Sequence, residues 1–268
     1  MKEIGIEEIK VLQLDILSAL DRFCREKGIK YFIIDGTLLG AVRHKGYIPW
    51  DDDIDVGLVR SEYNRLMAEF PDVLEGRYEL LSLERNNLWD RSYAAIYDNK
   101  TEVIYEHNSS MATGLLIDIF PVDEVPSKPA KWQSCIRSMK LYNRLLSFKS
   151  NALPSFTSNP VKWAVLGLFK LLLLPFSQRK ISIWKSRFAQ FYNGCHTGLG
   201  YELAFGVGAK QPFLLKDFES FEEYPFEDRK FIGPKNFDSV LTRTYGDYMQ
   251  LPPEDKRVSH HSLTAYYK

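Results

Sequence analysis

The stretch "GTLLGAVRHKGYIPWDDDIDVGL", Gly36 to Leu58, decides how this chain is read, because it sets Asp51, Asp52, Asp53 and Asp55 beside the apolar Ile54 and Val56. "IDVGLV" has the composition of a strand. Alternate strand side chains share a face about 6.6 Å apart, so Asp53 and Asp55 are expected to point one way and Ile54 and Val56 into the core. Two carboxylates at that spacing repel by about 2.5 kcal/mol at an effective dielectric of about 20. Water offsets the repulsion in a solvated acidic loop. Where burial fixes the strand, a divalent cation bound by hard oxygen ligands is the better account.

Working outward, Ile9, Leu12, Ile16, Leu20 and Phe23 form the stripe of an amphipathic helix that runs to about Lys27 and stops at Gly28. "KYFIID" reads as a buried strand, Gly36 and Thr37 as a turn, and "LLGAVRHK" as a short helix that Gly46 could end. A helix is expected over Ser61–Phe70, and strands at "RSYAAIYD", "EVIYE" and "GLLIDIF". Helices are then expected over about Lys131–Phe148, Val161–Leu174 and Gln178–Tyr192. Pro212, Pro225, Pro234, Pro252 and Pro253 make the remainder look irregular, apart from a helix over about Asn236–Tyr245 closed by Gly246. The order predicts an α+β fold. Its expected segments are a catalytic core at 1–125, a basic helical region at 126–200, and a C-terminal segment at 201–268 that completes the active site.

The cation site has three candidate forms. Asp51, Asp53, Asp55 and Glu62 match acidic positions of a calcium-binding EF-hand loop, but the position that needs glycine is Val56 and the surroundings are strand-like. A D-x-D glycosyltransferase normally places a nucleotide-binding half before its motif, and here one helix, one strand and a turn precede Asp53. The remaining form is strand, small-residue turn, short helix and a second strand carrying D-x-D. This is the nucleotidyltransferase-like pattern, in which backbone N–H groups at a helix start meet phosphate and two carboxylates hold Mg²⁺ against it. Asp118, between Ile117 and Ile119, is the candidate third acid, with Asp123 a less buried alternative. Arg43, His44 and Lys45 are candidates for neutralising phosphate oxygens.

"DGTLLGAVRHKGYIPWDDDIDVGL", "GLLIDIFPVDEVP" and "YGDYMQLPPEDKRVSHH" together resemble the LicD family of phosphocholine transferases, relatives of the fukutin-type phospho-ribitol transferases. The resemblance runs from about residue 10 to residue 261, with the three motifs in the family's order. It implies a nucleotidyltransferase-like core and transfer of phosphocholine from CDP-choline to a hydroxyl of a cell-surface glycan precursor, of teichoic acid or lipopolysaccharide type, releasing CMP. By position, Asp53 and Asp55 would hold Mg²⁺, with Mn²⁺ as the alternative, and Asp118 would be a third ligand or the base. Gly36 and Thr37 would hold phosphate. Lys235, Tyr245, Gly246, Asp247, His260 and His261 fall in matching segments without an assigned role, Lys235 and Asp247 being candidates for substrate binding. Ribitol or glycerol phosphate as the transferred group, a D-x-D glycosyltransferase, and a binding module with a degenerate site stay open.

The net charge of zero hides a segregation: residues 126–200 hold twelve Lys and Arg and no Asp or Glu. "VKWAVLGLFKLLLLPF" is too short and too charged for a membrane span of about 20 residues and reads first as a buried helix. Basic residues interleaved with Trp132, Trp163, Trp184, Phe and Leu also suit a helix lying on an anionic membrane, where a lipid-linked or polymeric glycan acceptor would be met. Nucleic acid is disfavoured, since no binding motif accompanies the charge. Cys24, Cys135 and Cys195 are widely spaced, as free thiols are in a reducing compartment, and the N-terminus has no apolar signal core. The expected location is the cytoplasm or the inner face of the membrane.

Overall fold

The computed structural model describes residues 2–105, 114–150, 160–206, 208–257 and 263–268. Strand β1 (Glu3–Ile4) leads into helix α1 (Ile6–Lys27), which buries Ile9, Leu12, Ile16, Leu20 and Phe23. The helix ends where Gly28 takes the left-handed conformation, φ 63°, and its N–H reaches the carbonyls of Arg25 and Cys24. Strand β2 (Phe32–Ile33), helix α2 (Asp35–Arg43), strand β3 (Asp55–Val59) and helix α3 (Arg60–Glu69) follow. The first half closes with β4 (Tyr78–Leu81), β5 (Ala94–Asp98), β6 (Thr101–Tyr105) and β7 (Leu116–Glu124).

Strands β2, β3, β7, β5 and β4 lie side by side in that order. The pair β3–β7 is parallel and its neighbours are antiparallel. Ile54, Val56, Leu58, Ile117 and Ile119 are fully buried, because α1 and α3 cover this sheet. The architecture is the mixed α+β arrangement expected from the order of elements.

Three helices follow: α4 (Pro129–Ser150), α5 (Pro160–Leu172) and α6 (Gln178–Ala189). Helix α4 packs on α6, burying Met139 and Ala189 with Tyr201, Leu203 and Ala204. The expected burial of α5 is not met: Leu168, Phe169, Leu171 and Leu172 are exposed, as is Leu174 just beyond it. A short apolar run has the same appearance in sequence whether a helix lies in a core or at an interface.

The chain then returns to the first sheet. Strand β8 (Leu199–Tyr201) pairs with the end of β7, and β9 (Phe213–Leu214) pairs with β8. The region expected to be irregular holds a hairpin, β10 (Phe221–Phe226) and β11 (Arg229–Pro234), in which Pro225 is tolerated because the sheet has two strands. Helix α7 (Phe237–Tyr245) contributes Val240 and Leu241 to the main core, and β12 (Leu263–Tyr267) pairs with both β1 and β6. Residues after position 200 are therefore built into the same core as α1 and β3.

Candidate active site

Three backbone connections converge at one end of the parallel pair. The chain leaves β2 and enters α2 at Asp35, whose φ of 46° lies in the left-handed region that few side chains other than Asn and Asp adopt. Thr37, two residues further, is buried, and its Oγ1 accepts the Asp55 N–H at 2.8 Å. The helix start is thus fastened to the first residue of β3. Next to Asp55 in register on the parallel strand stands Asp118, and the Asp118 N–H donates to the Ile54 carbonyl at 3.0 Å. Sequence placed these two acids on neighbouring strands, and the register sets them side by side.

The loop before β3 brings the remaining aspartates. Gln13 Nε2, from α1, donates to the Asp52 carbonyl at 3.0 Å, and the Asp51 N–H donates to the Ile48 carbonyl at 2.8 Å. The tip of the β10–β11 hairpin steadies the same loop, with Glu227 Oε1 accepting the Tyr47 N–H at 2.9 Å. Gly36 is fitted closely to this loop: a Cβ there would lie 2.7 Å from Asp51 Oδ2 and 3.8 Å from Asp55 Oδ2. Asp53 lies just before β3 and not within it, so extended-strand alternation does not explain its position; the loop geometry does.

These groups line a cavity of about 540 Å³, within the range of small-molecule sites. Asp35, Gly36, Asp51, Asp53, Asp55 and Asp118 form part of its wall, and Arg91, Tyr93, Tyr201, Glu202, Phe205 and Tyr245 another part. Burial raises the Asp55 carboxyl well above the carboxylate range, and repulsion from Asp53, Asp35, Asp118 and Asp51 raises it further. Asp35 and Glu202 share a hydrogen bond between carboxyl groups. Burial pushes Asp35 up to about 6, although the Glu202 bond works the other way, and burial together with Asp35 raises Glu202 well above its usual range. Arg91 Nη1 lies 3.7 Å from Asp118 Oδ1, and its guanidinium packs over the rings of Trp89 and Tyr93. The donor set of carboxylate oxygens in mutual repulsion has the chemistry of a hard divalent-cation site. Among the described residues, however, no three His, Cys, Asp or Glu side chains form a finished metal-binding group.

Other expected residues stand elsewhere. Arg43, His44 and Lys45 occupy the far end of α2, about 13 Å of helix from Asp35, and are not part of the cavity wall. There Arg43 Nε donates to His44 Nε2 at 2.9 Å and Nη1 to the Tyr248 carbonyl at 2.9 Å, while Lys45 Nζ donates to the Val42 carbonyl. Asp123 is fully buried, not the more exposed acid expected. It sits at the opposite end of β7, gripped by Arg60 through two bonds of 2.7 Å and by Asn193 Nδ2 at 2.7 Å. Lys235 is exposed and pairs with Glu222, and Asp247 is exposed outside the cavity. His260 and His261 lie outside the described residues.

Asp35, Arg91, Tyr93, Glu202 and Phe205 were not anticipated as cavity residues. Two of them carried the signal that picked out Asp118, an acid among apolar neighbours: Asp35 closes "FIID" and Glu202 sits in "YELAF". Arg91, Tyr93 and Phe205 carry no such mark.

A profile of the LicD/FKTN/FKRP nucleotidyltransferase domain matches residues 28–161. The lipopolysaccharide cholinephosphotransferase LicD of Haemophilus influenzae is 29% identical over 269 aligned residues, which cover 99% of each chain. The ribitol 5-phosphate transferase FKRP of Mus musculus is 30% identical over 98 residues, 35% of this chain and 17% of FKRP. An uncharacterized protein of Rickettsia typhi is 38% identical over 74 residues, 26% of this chain and 24% of its own.

Proposed function

The chain belongs to the LicD/FKTN/FKRP nucleotidyltransferase-domain family, and from that premise we propose that it is a phosphocholine transferase. It moves phosphocholine from CDP-choline to a hydroxyl of a cell-surface glycan precursor and releases CMP. The observation that carries the proposal is the side-by-side register of Asp55 and Asp118 on parallel strands, at a cavity that the start of α2 also lines. Similarity along the whole length to a cholinephosphotransferase, against a match to 17% of a ribitol phosphate transferase, favours choline as the alcohol.

In the reaction the acceptor hydroxyl oxygen forms a bond to the phosphorus that carries choline. The bond from that phosphorus to the bridging oxygen breaks, and the electron pair leaves with CMP. Asp118 is suited to take the hydroxyl proton, with Arg91 beside it to hold the carboxylate in place. The start of α2, where N–H groups favour negative charge, is the place for the donor phosphates, and Gly36 there leaves room for the Asp51 carboxylate. Asp53 and Asp55 would hold Mg²⁺ or Mn²⁺, with Asp118 as a third ligand if it does not serve as the base; the ion would neutralise pyrophosphate charge, and magnesium sites commonly take one or two carboxylates and complete their shell with phosphate and water. No covalent intermediate on the protein is needed.

For the rest of the chain, residues 1–125 are proposed as the catalytic core, 126–200 as the region that meets the acceptor, and 201–268 as the segment completing the cavity. The exposed leucines at and beyond the end of α5 lie in the acid-free basic region, a combination that fits docking on an anionic lipid surface at the cytoplasmic face, where a lipid-linked acceptor would be presented. Among the described residues no helix is long and apolar enough to cross a membrane. Incubation of the purified protein with CDP-choline, CDP-ribitol, CDP-glycerol and UDP-sugars tests the donor. Release of CMP from CDP-choline in preference to the others is expected, and preferential release of UDP would overturn the proposal.

A further inference from the structure

Beyond its carboxylates, the cavity is lined by four aromatic rings: Tyr93, Tyr201, Phe205 and Tyr245. Phe205 is 43% exposed, although its ring lies 5.5 Å from Tyr93 and 4.4 Å from Phe120. The turn that carries it is held at both sides. Lys185 Nζ, buried on α6, donates to the Phe205 carbonyl at 2.9 Å, and Ser92 Oγ donates to the Ala204 carbonyl at 2.5 Å. A large ring is thus kept at the wall of the cavity by a rigid frame and left partly uncovered.

Three residues earlier, Glu202 is 94% buried and also lines the cavity. Its Oε1 has no hydrogen-bond partner among the described residues. A carboxyl group so enclosed is costly unless something else completes it. Of the phenols nearby, Tyr201 O–H is already donated to the Ala209 carbonyl at 2.7 Å, and Tyr93 Oη accepts from Arg91 Nη1 at 3.3 Å. What remains for a ligand is the partly uncovered ring of Phe205 and the unpartnered carboxyl oxygen of Glu202. Those are the two features that attract a quaternary ammonium, which has no N–H to donate and is drawn to the electron-rich faces of rings.

We propose that Phe205 and Glu202, with Tyr93 packed against Phe205, form the subsite for the alcohol end of the donor and that this subsite selects a quaternary ammonium over a polyol. The proposal rests on the chain being a phosphocholine transferase and names the residues that set its choice of alcohol. Since the rings contribute through their faces, Phe205→Leu keeps apolar bulk against Phe120 and removes the face. Glu202→Gln keeps shape and removes the ability to ionise beside a bound cation.

The test measures CMP release from CDP-choline and CDP-ribitol, together with CMP affinity by calorimetry, for the wild type and both variants. Each variant is expected to raise KM for CDP-choline by about 10-fold, with CMP affinity within about 2-fold of wild type and the CDP-choline to CDP-ribitol preference reduced. An unchanged preference in both variants, or an equal loss of CMP and CDP-choline binding, overturns the subsite while leaving the transferase assignment standing. A wild-type protein that uses CDP-ribitol and not CDP-choline overturns the donor assignment, and the subsite falls with it.

Discussion

At the scale of single residues, the site is defined by carboxylates that the fold forces together. Asp55 is held in a buried position beside Asp118 and close to Asp35, Asp51 and Asp53, so its charged form is disfavoured until a cation or a substrate group arrives. Such an arrangement sacrifices stability at a functional position, and removal of the charge is expected to separate the two quantities. Asp55→Ala or Asp53→Ala should lower turnover by at least about 10³-fold, equivalent to about 4 kcal/mol of barrier, with the thermal midpoint no lower than that of the wild type. Near-wild-type transfer by either variant at limiting Mg²⁺ would remove the metal assignment. Asp123 shows why residue type alone is insufficient: on the same strand, five residues beyond Asp118, an aspartate is completed by Arg60 and Asn193 and has nothing left to offer a substrate.

At the scale of elements, β3 is the part on which the site depends. Its Gly57 faces the Phe32 ring of β2, and a Cβ there would lie 2.3 Å from Phe32 Cε2. That ring cannot easily retreat, since it stacks on Phe218 at 4.5 Å and on Phe221 at 5.9 Å. Gly57→Ala is therefore expected to destabilise the fold by about 1–3 kcal/mol, as overpacking of a filled core does. Denaturant unfolding would measure it, and a change below about 0.5 kcal/mol would show that the aromatic stack yields freely. The hairpin β10–β11 has a comparable supporting role. Its Glu227 holds the Tyr47 N–H and so braces the loop that delivers Asp51, Asp52 and Asp53.

At the scale of the whole molecule, charge and exposed apolar surface fall together on the helical region. If this face docks on lipid, the protein should co-sediment with vesicles rich in anionic lipid at low salt and be released as screening increases. Glu substitutions at Leu171 and Leu172 should weaken that binding, and failure of the wild type to co-sediment at low salt would exclude it. The sequence by itself determined the α+β class, the amphipathic α1 with its Gly28 stop, the burial of Ile54 and Val56, and the acids at Asp55 and Asp118. Those signals are local: periodicity, a breaker, and charge among apolar neighbours. Only the tertiary structure decided which distant residues join them. The parallel register puts Asp118 beside Asp55, the nine-residue span of α2 carries Arg43, His44 and Lys45 away from the cavity, and the return of the chain through β8 brings Glu202 and Phe205 in. Each depends on contacts between segments far apart in the chain, and spacing along the sequence does not encode distance across a fold.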